Sequence, residues 1–275
     1  MEYAEILCCQ AFEAELSTSS TQEPLYMISN TAWIACPKPK NRSGLRLFCF
    51  PYAGGGSSIF RSWADDLSPE IEVCPVLLPG KDDRLLELPF TQFWHLIETL
   101  AQVLQPYLEV PFAFFGHSMG GLVAFELARE LRRKNAPSPA HLIVSATRAP
   151  HLPNPVASFN VDSDVAIIEA LRSFNGTPEW VLQDNELMQE LLPTIRADFQ
   201  LVKDYTYLAE APLDCPISAF GGGQDELVTQ EHIEAWKKHT NKFFAMRMFQ
   251  GSHLFLHEKR SLFLSSISQE LCLKG

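Results

Sequence analysis

Residues 116–120 read Gly-His-Ser-Met-Gly and match the pattern GxSxG, with Ser118 at the centre. The five residues follow a short apolar run at 112–115 and precede a segment with helical spacing, so they stand between a predicted strand and a predicted helix. A sharp turn at this junction exposes the serine hydroxyl at a helix N-terminus, whose dipole favours developing negative charge. The pattern and its context predict Ser118 as a nucleophile.

A serine hydroxyl is a weak nucleophile at neutral pH and needs a base that a third group orients. His253 follows the apolar run at 244–249 and precedes the last predicted helix. Asp225 follows another apolar run, at 217–220, through a glycine-rich turn. Both residues therefore come after predicted strands, in the chain order serine, acid, histidine. We expect His253 to be the base and Asp225 the acid that orients it.

Several other residues compete for these roles. Glu226 is adjacent to the predicted acid and stays an alternative to it. The other seven histidines fit the base less well: His232 and His239 fall on a predicted surface helix, and His117 is better suited to orienting the serine turn. Three aspartates in or at the end of a helical insertion are interpreted as solvated charges: Asp198, Asp204 and Asp214.

Attack on a carbonyl produces an oxyanion, which needs N–H donors that already point at it. The backbone N–H of Met119, directly after the nucleophile, is the first expected donor. The second is expected from residues 51–56 (Pro-Tyr-Ala-Gly-Gly-Gly), which we call the glycine-rich loop, with the N–H of Ala53 as the best candidate. A phosphate-binding loop is the weaker interpretation, because GxGxxG is absent and no Lys-Ser/Thr follows.

Short apolar runs alternate with helical stretches from residue 45 onward. Strands of continuous apolar character that alternate with helices predict a mostly parallel sheet with helices on both faces, here the α/β-hydrolase fold. The predicted strands are 45–50, 71–78, 112–115, 141–146, 217–220 and 244–249. The predicted helices outside the insertion are 58–67, 90–108, 122–133, 230–239 and one that begins at about 254.

Residues 148–212 break this alternation and contain no convincing strand. They contain helical pieces at 165–174, 186–192 and 195–208 instead. A helical insertion of this length between two core strands is typical of a cap over an active site, and we call it the lid. An ordinary helical layer covering the sheet is the alternative.

The composition argues against several classes of binding partner and of bound group. Of 275 residues, 22 are basic and 33 acidic, which gives a net charge of −11. This balance argues against unspecific binding of nucleic acid or anionic lipid. The seven cysteines form no CxxC pair and no Cys–His metal spacing, so we expect a reducing compartment, no metal site and no cofactor.

The first 42 residues differ from the rest of the chain. They contain a polar run at 17–21 and a linker-like Pro-Lys-Pro-Lys at 37–40, and they are predicted to be a partly disordered leader before a single domain at 43–275. Whether Trp33 and Ile34 dock on that domain is left open. The N-terminus does not have the pattern of a secretory signal, and no apolar stretch reaches membrane-spanning length, so a cytoplasmic monomer is expected.

The motifs together resemble one family, the type II thioesterases that accompany nonribosomal peptide and polyketide synthases. The resemblance extends from about residue 45 to the C-terminus and includes the lid and both loops. It departs from the usual family pattern at Tyr52, where many relatives have histidine, and at residues 81–84 (Lys-Asp-Asp-Arg). The segments that carry it are 47–55, 78–80, 116–121, 148–151, 176–178, 196–199, 215–217 and 251–255.

The resemblance implies a substrate, which is an acyl group thioesterified to the phosphopantetheine arm of a carrier protein. The implied function is to remove stalled or aberrant acyl groups from a synthase, and the implied partners are acyl or peptidyl carrier domains. A carboxylesterase or lipase for small oxygen esters, a medium-chain fatty acyl-carrier thioesterase and a terminal releasing thioesterase stay as alternatives. A catalytically inactive binding module is the alternative from another class.

Overall fold

The computed structural model describes residues 33–35, 44–174 and 176–272. The predicted leader at 1–42 lies outside the described residues, except for three of them. In this short segment Ile34 forms an antiparallel bridge with Val76, and the Arg84 guanidinium lies 4.0 Å from the centre of the Trp33 ring. Trp33 is buried, so these residues do dock on the domain.

Six strands form one sheet in the described part of the chain, and all neighbouring strands run parallel. The spatial order β2-β1-β3-β4-β5-β6 confirms the predicted α/β-hydrolase fold. Four predicted strands end at a different residue. The second ends at Pro75 and the fourth at Ser145, whereas the third continues through the first two residues of the GxSxG motif and the fifth continues to Gly222. The strands are β1 (Leu45–Phe50), β2 (Ile71–Pro75), β3 (Phe112–His117), β4 (His141–Ser145), β5 (Ile217–Gly222) and β6 (Phe244–Phe249).

Alternate side chains of each central strand pack on opposite faces of the sheet. Phe48 and Phe114 belong to one hydrophobic cluster, whereas Leu47 and Phe115 belong to the other. This follows from the two-residue period of a strand. Because both faces are covered, the central strands β3, β4 and β5 are buried along their whole length, and only the edge strand β6 is mostly half-buried.

The helices lie on both faces of the sheet and in the insertion. The predicted helix at 58–67 is instead a 3-10 turn at Ser57–Phe60 followed by one short helix, and the predicted helix at 90–108 is shorter at both ends. The body helices are α1 (Trp63–Asp66), α2 (Phe93–Val103), α3 (Met119–Arg133), α7 (Gln230–Glu234), α8 (Phe255–Glu258) and α9 (Arg260–Cys272). The insertion helices are α4 (Asp164–Ser173), α5 (Glu179–Gln183) and α6 (Asn185–Asp204).

The described residues of the insertion between β4 and β5 contain these three helices and no strand of the sheet. Their apolar side chains form a hydrophobic cluster separate from the two that cover the sheet. The two predicted pieces at 186–192 and 195–208 are one helix, α6, which continues through Pro193. The break was wrongly predicted because the apolar side chains on both sides of Pro193 pack into the same cluster, which outweighs one missing hydrogen bond.

Candidate active site

Ser118 stands between the end of β3 and the start of α3, with φ 53° and ψ −117°. A non-glycine residue rarely adopts a positive φ, and such strain is typical of functional sites. The flanking glycines are needed because the backbone approaches closely. A Cβ at Gly116 would lie 2.0 Å from the carbonyl oxygen of Gly120, and one at Gly120 would lie 2.2 Å from that of Phe50. The turn therefore presents the serine hydroxyl above the carboxyl end of the sheet.

The loops after β5 and β6 carry the other two predicted residues to the same edge. His253 Nδ1 lies 2.8 Å from Asp225 Oδ2, and His253 Nε2 lies 3.0 Å from Ser118 Oγ. A carboxylate only accepts hydrogen bonds, so Nδ1 carries the proton and Nε2 accepts from the serine hydroxyl. Ser118, His253 and Asp225 thus form one hydrogen-bonded chain, although Ser118 and Asp225 are 107 positions apart in the sequence and Asp225 and His253 are 28 apart.

The carboxylate of Asp225 is held by the main chain as well as by histidine. Its Oδ1 accepts the N–H groups of Leu227 at 2.9 Å and Val228 at 3.1 Å. Asp225 is buried, whereas the alternative acid Glu226 is exposed. The geometry therefore favours Asp225 as the residue that orients the histidine.

His117 is fully buried below the serine turn. Its Nε2 donates to the carbonyl oxygen of His253 at 2.9 Å, so its Nδ1 accepts the hydroxyl of Ser145, 3.0 Å away. Burial, followed by the nearby imidazole of His253, lowers the pKa of His117 well below its ordinary value. His117 is therefore a neutral residue that supports the loop of the predicted base.

The two predicted oxyanion donors lie on either side of the serine. Met119 is the first residue of α3, where backbone N–H groups have no intrahelical acceptor. Ala53 belongs to the glycine-rich loop after β1 and lines one cavity together with Ser118 and His253. The close contact of Gly120 with the end of β1 keeps this loop next to the start of α3.

Two cavities meet at Ser118 and His253. The first extends between the glycine-rich loop and lid helices α4 to α6, and the second runs under residues 146–156 and along α6. Phe174 lines both. Its ring centre lies 5.3 Å from that of His253, so Phe174 stands where both cavities reach Ser118 and His253.

The position of Phe174 was not predicted from the sequence. Its ring stacks on Phe199 of α6 with centres 6.0 Å apart, and Phe199 stacks on Phe159 at 5.1 Å. Helical spacing indicated that α4 ends at this residue, but the spacing carries no signal of what the last side chain contacts. The stack fixes an aromatic side chain of the lid against the predicted base.

Asp198 contradicts the prediction of a solvated charge. It is 3% exposed, and its Oδ2 lies 2.5 Å from Nζ of Lys81, which is also buried. The same oxygen accepts the N–H of Gly54 at 2.7 Å. The prediction was wrong because Asp198 lies on the side of α6 that packs against the glycine-rich loop, and helix periodicity does not show which neighbour covers a face. Sequence reasoning treated residues 81–84 only as a departure from a family pattern.

His239 was also wrongly predicted to lie on a surface helix. The helix changes to 3-10 geometry at Ala235–His239, which turns the imidazole inward against Phe125 and Trp236. His239 Nε2 lies 2.8 Å from Nδ1 of His151 at the start of the lid. Burial lowers the pKa of His239 to about 4, with a smaller contribution from His151.

The described residues contain no cluster of three or more histidine, cysteine, aspartate or glutamate side chains that could hold a metal ion. Among the same residues, no helix is both long and apolar enough to span a membrane.

Comparison with known proteins shows the family to which this chain is similar. The family profile described as "Thioesterase domain" matches residues 45–271. The gramicidin S biosynthesis protein GrsT of Aneurinibacillus migulanus is 44% identical over 88% of this chain and 94% of its own length. The solved structure of the type II thioesterase BorB from the borrelidin biosynthetic cluster is 36% identical, with a TM-score of 0.77 over 87% of this chain and 98% of that one.

A second curated relative bears a different kind of name. The linear gramicidin dehydrogenase LgrE of Brevibacillus parabrevis is 43% identical over 89% of this chain and 94% of its own length. In this chain the loop after β1 lacks the GxGxxG pattern with which a dinucleotide-binding turn cradles a pyrophosphate. We therefore do not infer dehydrogenase activity for this chain from its similarity to LgrE.

Proposed function

The chain belongs to the thioesterase domain family and is a thioester hydrolase, and we propose that its substrates are acyl groups on the phosphopantetheine arm of carrier proteins. The proposal includes removal of stalled or aberrant acyl groups from a nonribosomal peptide or polyketide synthase, with its carrier domains as partners. The similarity to GrsT and to BorB along nearly their whole length supports this role.

The observation that carries the proposed chemistry is the contact of Ser118 Oγ with His253 Nε2 at 3.0 Å. In the proposed mechanism, Ser118 attacks the thioester carbonyl while His253 takes its proton. The oxyanion accepts the N–H groups of Ala53 and Met119, and Asp225 stabilises the imidazolium. As the oxyanion collapses, the C–S bond breaks and the imidazolium of His253 gives its proton to the sulfur, so pantetheine leaves as a thiol. His253 then activates water, which releases the acid and restores the serine.

The two cavities at the serine suit a substrate with two arms. A thioester places an acyl chain on one side of the carbonyl and pantetheine on the other. The cavity along α6 is lined mainly by apolar side chains, among them Leu122, Val156 and Val202. A medium-chain fatty acyl group on a carrier protein is therefore the second candidate substrate. The same triad also fits small oxygen esters.

Three matched substrates test the proposal: an acyl group on a phosphopantetheinylated carrier protein, the same group on N-acetylcysteamine and the same group on an alcohol of equal size. We expect kcat/KM to be highest for the carrier thioester and lowest for the oxygen ester. Equal or faster turnover of the oxygen ester would contradict the carrier role. The Ser118→Ala variant is the control, and it should lose turnover of all three substrates together with labelling by a fluorophosphonate.

We also propose that the enzyme is a monomer that acts in the cytoplasm, where it would reach the carrier domains one at a time. Light scattering behind a sizing column tests the oligomeric state, and a stable dimer at micromolar concentration would contradict this part.

A further inference from the structure

Two buried opposite charges join the sheet to the lid next to the glycine-rich loop. Lys81 lies in the loop after β2 and Asp198 on α6, and their side chains are 3% and 4% exposed. The attraction between two buried charges does not in general outweigh the loss of their hydration, so such a pair is weak evidence for a stabilising role. A role in positioning other groups explains the pair better.

Both charges also bond to the main chain of the glycine-rich loop. The N–H of Gly54 donates to Asp198 Oδ2 at 2.7 Å, and Lys81 Nζ donates to the carbonyl oxygen of Gly55 at 2.9 Å. Two peptide groups of the loop, 53–54 and 55–56, are thus held by a carboxylate and an ammonium group, and hydrogen bonds to charged groups are the strong ones.

A single turn connects the peptide groups held by these bonds to the N–H of Ala53. The N–H of Gly55 donates to the carbonyl oxygen of Tyr52 at 2.9 Å, and Gly54 adopts a φ of +79° as the third residue of that turn. The Tyr52 carbonyl and the Ala53 N–H belong to the same planar trans peptide, in which the two groups point in opposite directions. A turn that fixes the carbonyl therefore fixes the direction of the Ala53 N–H.

We propose that Lys81 and Asp198 are positioning residues that hold this turn so that the Ala53 N–H faces the oxyanion. The inference rests on the proposed function, in which this N–H is one of two donors. Asp198 moves with the lid helix α6, and Ile195 of the same helix lies 3.4 Å from where a Cβ of Gly54 would be. Seating of the lid and completion of the oxyanion hole are therefore one event.

Asp198→Asn tests the inference, because it removes the charge and keeps the size of the side chain. A trifluoromethyl ketone analogue of the acyl-N-acetylcysteamine substrate reports on the donors directly. Its carbonyl carbon forms a bond to Ser118 Oγ, the serine proton passes to His253, and the carbonyl oxygen becomes an oxyanion. An amide analogue of the substrate, which forms no adduct, reports on ordinary binding.

We expect kcat of Asp198→Asn to fall by about 10²–10³-fold, the loss typical of one missing oxyanion donor. Affinity for the ketone should fall by the same factor, while KM and affinity for the amide analogue stay within about twofold. A variant that loses thermal stability but keeps kcat and ketone affinity would overturn the inference.

Glu126→Gln is the matched control. Glu126 forms another buried ion pair, with Arg129, and accepts a hydrogen bond from the hydroxyl of Tyr205, which directly follows α6. Neither interaction involves the glycine-rich loop. It should lower stability and leave kcat and ketone affinity unchanged. An equal loss of kcat in Glu126→Gln and Asp198→Asn would mean a general effect of buried charge and would overturn the inference.

A second variant covers the case in which Asp198→Asn does not fold. Lys81→Met combined with Asp198→Asn leaves neither charge unpaired, which proteins generally tolerate, and it should show the same loss of kcat and ketone affinity. Retention of both in the double variant would contradict the positioning role. Failure of the proposed function is a different result: the wild type would bind the ketone tightly but hydrolyse no thioester. The ratio of ketone affinities between the wild type and the variants could still be measured in that case.

Discussion

The sheet edge and the lid hold their functional side chains in different ways. At the edge, Asp225 is bonded to main-chain N–H groups of its own loop, and His117 to a main-chain carbonyl of the loop after β6, which the parallel strands place beside it. In the lid, Phe174 is held by aromatic stacking on other lid residues, and the lid helices share a hydrophobic cluster of their own. The edge is positioned by the backbone, and the lid by its side chains.

This difference indicates how each region responds to change. Main-chain hydrogen bonds at the ends of buried strands break only when the strands separate, so the edge is as stable as the sheet. The lid helices share an apolar cluster of their own, and α6 contacts the body through Asp198 and through Thr194, whose hydroxyl donates to the Gly80 carbonyl. Regions of this kind open at lower free energy than the core.

Asp225→Asn should have the largest effect at the edge. An amide can donate to the imidazole and hold it in the wrong tautomer, so we expect kcat to fall by about 10⁴-fold. Glu226→Gln, one residue away and exposed, should stay near wild type in the same steady-state assay. If Glu226→Gln lost as much activity as Asp225→Asn, the acid would be misassigned.

Core truncations compare the two regions directly. Ile167 of the lid cluster and Ile143 of the sheet are both fully buried. Each Ile→Ala change should lower the free energy of unfolding of the region that contains it by about 2–5 kcal/mol. Native-state hydrogen exchange should show faster exchange confined to the lid for Ile167→Ala, and throughout the domain for Ile143→Ala. Equal loss of protection everywhere in both variants would mean that lid and sheet unfold as one unit.

Phe174→Ala should change selectivity more than catalytic power. Removing the ring joins the two cavities, so the preference for long or branched over short acyl thioesters should rise by about tenfold in kcat/KM. Labelling of the serine by a fluorophosphonate should persist, because the triad is intact. Phe243→Ala, an exposed phenylalanine at the start of β6, is the control. An unchanged chain-length profile would show that Phe174 does not separate the cavities.

Burial of His239, whose imidazole contacts His151 at the start of the lid, makes stability depend on pH. The pKa of His239 in the folded protein is about 4, against about 6.5 in an unfolded chain. Between these values the unfolded state binds more protons, so stability falls as pH decreases from about 6.5 to about 4. Arg129 and Lys238 act in the same direction, since both lower the pKa of His239.

Thermal unfolding measured across this pH range checks the expectation. His239→Gln should show a smaller decrease in Tm on acidification than the wild type, whereas His95→Gln, on the exposed side of α2, should not differ from it. Burial also lowers the pKa values of His117 and His257, and both histidines contribute to the decrease that remains. An identical pH profile for His239→Gln and wild type would refute the linkage.

Much of the fold and the site could be predicted from the sequence because the signals are local. Apolar runs indicated six strands, and all six strands begin at the residue that was predicted. The GxSxG turn and the chain order of Ser118, Asp225 and His253 needed only the rule that parallel strands end at one edge. The helices were predicted less well wherever 3-10 turns or Pro193 changed them, since packing decides such cases.

What the sequence determined by itself was the sheet, the order of Ser118, Asp225 and His253 along it and the presence of a helical insertion. Only the tertiary structure decided that Asp198 and Lys81 are buried together, that His239 turns inward and that Phe174 stands against His253. The physical reason is that periodicity shows which side of an element is apolar, but not which neighbour covers a charged or aromatic side chain. Burial of such a side chain depends on residues that are distant in the chain.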